Sequence, residues 1–332
     1  MRGPFRKNIL VLCGALAVSS CTIDDVLAPV GGSGGGTLDE RVVLGLRTAL
    51  SVGIDTSAAF ASQLNGYLAH EAIRILLPAE AAQALKAAEE VAGYVNPFAH
   101  ELQAIKSLAD VTPGADQSSF TANLGRTAGV LNEVAAMGSI SDSLIKYMNR
   151  AAEYAAPRSV PIFKSAIGSM TINDGLSLLN SADSTAATVY LSGKTFNPLD
   201  QAYTPIVDST LALVPLTQYW SDFRTTYNAL LADYRQLVAF QVSWNSNVVV
   251  SRVPKLRVTA LKSVSYQPIQ TESLGAWTTE KALTGLFFLV GEQEKSIRRD
   301  PIGYVTELAG DIATILKDVF GDIMEMQKPP NP

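Results

Sequence analysis

The stretch T-E-K-A-L-T-G-L-F-F-L-V-G-E-Q-E-K-S-I-R-R, residues 279–299, decides the fold class. With Leu283 set at 0° and about 100° per residue, Leu286, Phe287, Val290 and Ile297 all fall within about 60° of it. That spacing belongs to an amphipathic helix and not to a strand. Glu294 falls at about 20°, inside the apolar stripe, and Arg298 follows one turn later at about 60°. A carboxylate in that position needs a partner, because an unpaired buried charge is costly. We therefore expect Glu294 and Arg298 to form a partly buried pair that joins this helix to another.

Outward from this stretch the chain reads as more helix. Asp300-Pro301 supplies a cap and a first-turn proline for a second periodic helix over 301–320. Thr37, with Glu40 three residues on, opens the first helix with a capping box, and Gly53 is expected to close it before another helix begins at Asp55. Pro78 suits the first turn of a helix reaching Val91. Between Gly93 and Gly138, Pro97, Pro113 and several glycines predict shorter, broken helices. A clear helix spans 141–156, and others are expected near 162–170, 173–180, 184–191, 200–213 and 216–240. Thr171 and Asp174 form a variant capping box. Only residues 248–266 read as strand, Val-rich and alternating at Leu256, Val258 and Ala260. The expected fold is all-α, a multi-helix array with a small inserted β-hairpin.

The N-terminus carries a different kind of information. Arg2, Arg6 and Lys7 precede ten uncharged residues, 9–18, and then Val18-Ser19-Ser20-Cys21. A run that short does not span a bilayer as a mature helix but fits the core of a secretory signal. The cysteine after small residues resembles the lipobox of bacterial lipoproteins. That resemblance implies cleavage after residue 20, lipidation of Cys21, and a membrane anchor as the chain's first partner. By the enterobacterial sorting rule, Thr22 in place of Asp points to the outer membrane. Residues 21–38, rich in Gly around Ser33, are expected to be a flexible tether spanning roughly 20–25 Å. Residues 39–322 would then form one helical domain with insertions near 93–140 and 241–275, and 323–332 a disordered tail.

Three blocks carry a further resemblance: L-G-L-R-T-A-L-S-V-G-I-D (44–55), M-N-R-A-A-E-Y-A-A-P-R-S-V-P-I-F (148–163), and T-E-K-A-L-T-G-L-F (279–287) continuing to E-K-S-I-R-R-D-P (294–301). Together with A-A-T-V-Y-L-S-G-K-T (186–195), they are similar to the bacterial family named domain of unknown function 4197. The resemblance implies an exported, mostly helical protein, and it implies no activity.

Composition narrows the function. Without the first 20 residues the chain keeps 23 basic against 31 acidic side chains, a net charge of −8. That balance argues against nucleic acid as a partner. No cofactor or metal is expected: His70 and His100 belong to no H-E-x-x-H pattern, and Gly193-Lys194-Thr195 lacks the glycine a phosphate loop needs at position 188. Gly193 reads instead as a helix C-cap. Gly31-Gly32-Ser33-Gly34-Gly35 matches G-x-S-x-G, but in the tether rather than at a strand-to-helix elbow.

Two polar groups remain as candidate sites. The helix over 141–156 sets Asn149, Arg150 and Glu153 opposite its apolar face, and with Glu294 and Arg298 they could line a polar site. The span 234–271 has five cations and no acid, a local reversal of sign. Within it Arg252, Lys255, Arg257 and Lys262 could guard an edge strand, or could touch anionic lipid or an envelope protein. A non-enzymatic binding or envelope-maintenance role follows most directly. The competing reading is a periplasmic hydrolase using Asp, Glu and Lys from separate helices. No catalytic residue can be named.

Overall fold

The computed structural model describes residues 37–299, apart from 115, 214–215, 263, 265, 267–268 and 271–272. The signal, Cys21, nearly all of the tether, the expected 301–320 helix and the tail lie outside the described residues. What is described is helical, and no strand occurs among these residues.

Helix α1 (Leu38–Ala61) starts at the Thr37–Glu40 capping box, both reciprocal bonds being present. It does not stop at Gly53. The bare backbone there lets a later helix cross closely, since a Cβ at Gly53 would lie 3.3 Å from Cβ of Gln293. By length and composition α1 could cross a membrane, but 67% of its most apolar window is buried inside the protein, so it is a core helix. Helices α2 (Ala79–Val111) and α3 (Gln117–Ala155) replace the broken helices expected over 93–138. After a 3₁₀ turn (Ala156–Arg158) come α4 (Ser159–Gly168) and α5 (Ile172–Leu179), the latter opened by the Thr171–Asp174 capping box. Helix α6 (Ala186–Leu213) joins what the sequence divides in two, and Gly193 lies inside it rather than capping it. Then follow α7 (Leu216–Ser246), the short α8 (Val248–Arg252) and α9 (Gly275–Arg299).

The prolines that should break α2 and α6 are tolerated for one reason. Pro97, Pro198 and Pro205 are all exposed, and so are Gly93, Lys194 and Gln201, whose carbonyls lose their usual N–H donor. Water can satisfy those carbonyls. Buried residues on either side, such as Val95 and Phe98 or Leu199 and Tyr203, hold the helix together across the gap.

Helix α3 is the spine. Its 39 residues make about 58 Å of helix, long enough to serve two packing partners in succession. It packs on α2 and α7, and also on α6 and α9. Aromatic residues fill the former contact: Phe120 lies 5.1 Å from Trp244 and 6.4 Å from Phe240, centroid to centroid. Helix α9 packs on α6, α1 and α3, with Leu283, Leu286 and Val290 buried as the stripe predicts.

The expected hairpin is absent from the described residues. Residues 248–252 are helical, Pro254–Leu256 form a 3₁₀ turn, and the chain then runs as an extended strap. The alternation itself is right: Leu256 and Val258 are buried, while Lys255 and Arg257 are exposed. An extended chain and a strand share that pattern, and the difference lies in who satisfies the backbone. Here helix side chains do so. Asn245 accepts from the Val258 N–H (3.1 Å) and donates to its carbonyl (2.6 Å). One turn earlier Gln241 does the same for Leu261, at 3.0 Å each way. Glu101 on α2 accepts the N–H groups of Thr259 and Ala260.

Candidate functional site

Glu294 and Arg298 pair as the stripe predicts, at 2.9 Å, with the Glu294 side chain only 3% exposed. The pair has more to do than neutralise itself. One Glu294 oxygen accepts the Ala187 N–H (2.9 Å), and the other accepts the Thr188 N–H (2.7 Å) and hydroxyl (2.8 Å). These N–H groups belong to the first turn of α6, where no intrahelical acceptor exists and negative charge is favoured. Arg298 donates to the Leu178 carbonyl near the end of α5 (2.9 Å). The two side chains thus staple the α5–α6 connection onto α9.

Asn149, Arg150 and Glu153 act the same way elsewhere. Asn149, fully buried, accepts from the Ile75 N–H (2.9 Å) and donates to the Ile75 carbonyl (2.8 Å). Glu153 accepts from the N–H groups of Tyr67 (3.3 Å) and Leu68 (3.4 Å) and pairs with Arg150. Arg150 also donates to the Asn65 side chain (2.8 Å), where Asn65 adopts a left-handed turn at φ 69°. The Tyr67 hydroxyl donates to the Ala282 carbonyl on α9 (2.7 Å). Burial, with Tyr203 and then Glu153 nearby, pushes that phenol well above its ordinary range. These residues fasten the 62–78 connection to α3 and α9.

The five polar residues therefore form two separate fastenings, with no hydrogen-bond partner in common. Their oxygens and nitrogens are turned onto backbone groups, onto one another and, for Arg150, onto the Asn65 side chain, rather than towards a shared space. Of the basic residues, Arg252, Lys255 and Arg257 are exposed and form no ion pair with a described residue. Lys262, also exposed, lies over the Tyr94 ring at 5.1 Å. The sequence reading missed the strap's fasteners: Gln241, Asn245, Glu101 and Glu90. Glu90 accepts from the hydroxyls of Tyr266 (2.7 Å) and Tyr94 (2.9 Å), and those two bonds hold its carboxyl below the usual range. The only advance sign was polar residues at i,i+4 on one face of α7.

Among the described residues no group of three His, Cys, Asp or Glu could hold a metal ion. His70 sits between Phe60 and Phe288, with ring centroids 5.6 and 6.2 Å away. An open groove of about 340 Å³ runs along the α6–α9 seam, with Val189, Phe287 and Phe288 beside the hydroxyls of Thr188, Ser192 and Thr284. It is a shallow, mixed surface with no converging acids.

A sequence model of one protein family matches residues 37–111 and 118–321. The chain belongs to the family of proteins of unknown function DUF4197. The DUF4197 match begins at the capping threonine of α1, and its one interruption falls on the turn between α2 and α3. Neither a curated protein nor a solved structure matches the chain. The DUF4197-like blocks quoted above lie on α1, across the end of α3 into α4, on α6 and, as far as it is described, on α9, and α9 packs on each of α1, α3 and α6.

Proposed function

We propose that this DUF4197 protein is a lipid-anchored component of the bacterial envelope. Its helical body is a non-catalytic binding module that turns the basic strap towards anionic headgroups. The observation that carries this reading is the run of exposed cations Arg252, Lys255 and Arg257, at the end of α8, in the 3₁₀ turn and at the start of the strap, alternating with the buried Leu256 and Val258. Charges of this kind on a sheet edge have a ready explanation as a guard against strand pairing. No strand is present among the described residues, so that explanation loses its object. Each cation near an anionic surface gains about 1 kcal/mol, and the sequence at Val18–Cys21 supplies a reason for the surface to be close. Two or more acyl chains hold stably by themselves, so the basic residues would decide which face of the anchored body turns to the membrane rather than whether it stays there. A hydrolase would need acids converging on an enclosed space, whereas Glu153 and Glu294 are committed to backbone N–H groups.

The test uses the full chain with Cys21→Ser and vesicles containing phosphatidylglycerol. Binding at low salt is expected, at least tenfold weaker when Arg252, Lys255, Arg257 and Lys262 are changed to Gln. Binding that is absent, or indifferent to salt and to those four residues, overturns the proposal.

A further inference from the structure

Two chain reversals meet beside the N-terminal end of α3: the turn from α2 into α3 and the turn from α7 into α8. Asn247 ties them together. It accepts the Val249 and Val250 N–H groups at the start of α8 (2.9 and 3.4 Å) and donates to the Gly114 carbonyl (3.4 Å). Gly114 adopts φ 82°, which favours glycine, and a Cβ there would lie 3.2 Å from a Val249 methyl. The joint is close-packed, yet it leaves apolar side chains outside. Three valines fill the first turn of α8, where acidic and polar residues are favoured. Val250 is buried and Val249 packs on Gly114, but Val248 is 61% exposed. Across the joint, the last turn of α2 leaves Leu108 and Val111 exposed on one face, Val111 at 73%.

The charges around this tip are one-sided. Asp110 is paired with Lys106 (2.8 Å), and Asp116 accepts the Ser119 N–H as the cap of α3 (3.0 Å). Arg252 lies four residues after Val248, on the same face of α8, and is exposed together with Lys255 and Arg257. None of these three cations has an ion pair with a described residue. We propose, building on the membrane-facing strap above, that the tip enters an anionic bilayer, with Leu108, Val111 and Val248 passing below the phosphates that Arg252, Lys255 and Arg257 contact. Charge complementarity selects this occupant, because apolar side chains beside cations with no free acid fit a surface that is anionic outside and hydrocarbon within. Since Asn247 and Gly114 already fix both turns, entry requires no rearrangement of the backbone. Cations alone would allow the body several tilts on the surface, whereas apolar contact at one end determines which end goes down.

The test uses the full chain carrying Cys13→Ser and Cys21→Ser, with an environment-sensitive nitrobenzoxadiazole label on Val248→Cys. With phosphatidylglycerol vesicles at low salt, the label's emission should rise about threefold or more and be quenched by lipids that carry a nitroxide near the headgroup. The same label on Tyr154→Cys, an exposed position near the other end of α3, should change little. In unlabelled protein, Val111→Ser with Val248→Ser should weaken vesicle binding about fivefold or more without altering the melting temperature. Binding that depends on salt and on the four cations, but with the Val248 label unshifted or the serine variant undiminished, overturns the entry of the tip and leaves the strap contact standing. Equal shifts at Val248 and Tyr154 also overturn it. No binding at all overturns both.

Discussion

Glu294 holds Thr188 twice, its carboxylate accepting both the backbone N–H and the side-chain hydroxyl of that residue. A helix N-terminus is usually capped by a residue just before it in sequence, whereas here the cap comes from another helix 106 positions away. The consequence is that the first turn of α6 depends on α9 for the acceptors of its N–H groups.

Glu294→Ala should therefore destabilise the protein by about 2–3 kcal/mol, well beyond the roughly 0.5 kcal/mol of a surface change, because two helical N–H groups and Arg298 all lose an acceptor. Glu294→Gln keeps one acceptor oxygen and should cost less. Urea denaturation followed by circular dichroism measures both. An unchanged midpoint in Glu294→Ala would show that the staple contributes nothing.

Asn149 distinguishes shape from chemistry. Asn149→Asp preserves size but cannot donate to the Ile75 and Ile145 carbonyls, and it places a charge where none is compensated. It should be more damaging than Asn149→Ala, by about 1 kcal/mol or more. Proteolysis between residues 62 and 78 should accelerate in both variants, since that connection is what Asn149 fastens.

Glycine substitutions should divide by what lies above each Cα. Gly125→Ala, where the new Cβ meets nothing within 4 Å, should stabilise the long α3 by about 0.5–1 kcal/mol. Gly285→Ala drives a methyl against Tyr67 and Ile73 and should cost about 1–3 kcal/mol. Opposite signs in thermal melting are the expected result.

Stability should fall steeply in alkali. Burial raises the Tyr234 phenol from its ordinary value to about 12, and raises Tyr67 and Tyr203 as well. A raised phenol binds its proton more tightly when folded, so its contribution is complete below about pH 10 and is lost as pH climbs towards the folded value. Phenolate absorbance from these residues should appear together with loss of ellipticity. Full phenolate absorbance at pH 11 with the fold intact would contradict the burial argument.

Removing the thiol at the lipobox is a separate matter. Cys21→Ser should move the protein from the membrane fraction to the soluble fraction of its host. Retention with membranes, together with a natural chain that carries no acyl group, would refute the anchor.

The sequence made some of this legible and hid the rest for identifiable reasons. The capping boxes at Thr37 and Thr171 were readable because all their partners lie within three residues. Glu294 was readable because the helical period exposes a misplaced charge, although its main acceptor role towards Ala187 and Thr188 was not. Helix continuity at Gly53, Pro97 and Gly193 was hidden, since local propensity favours a break and only tertiary packing or solvent access overrules it. The strap misled for a related reason. Alternation at Leu256 and Val258 reports which side faces the body, and it says nothing about whether a neighbouring strand or a carboxamide on α7 completes the backbone bonds.

That last feature bears on how the surface can change over time. Gln241 and Asn245 grip main-chain atoms, which every residue type except proline presents alike. The exposed side chains of Lys255 and Arg257 can consequently be exchanged without loosening the strap, provided the inward residues, the two carboxamides and the Thr259–Glu101 bond stay. Charge on this face is thus free to drift, or to be engineered, independently of the helices beneath it, and the strap can serve as a display position for new binding specificity.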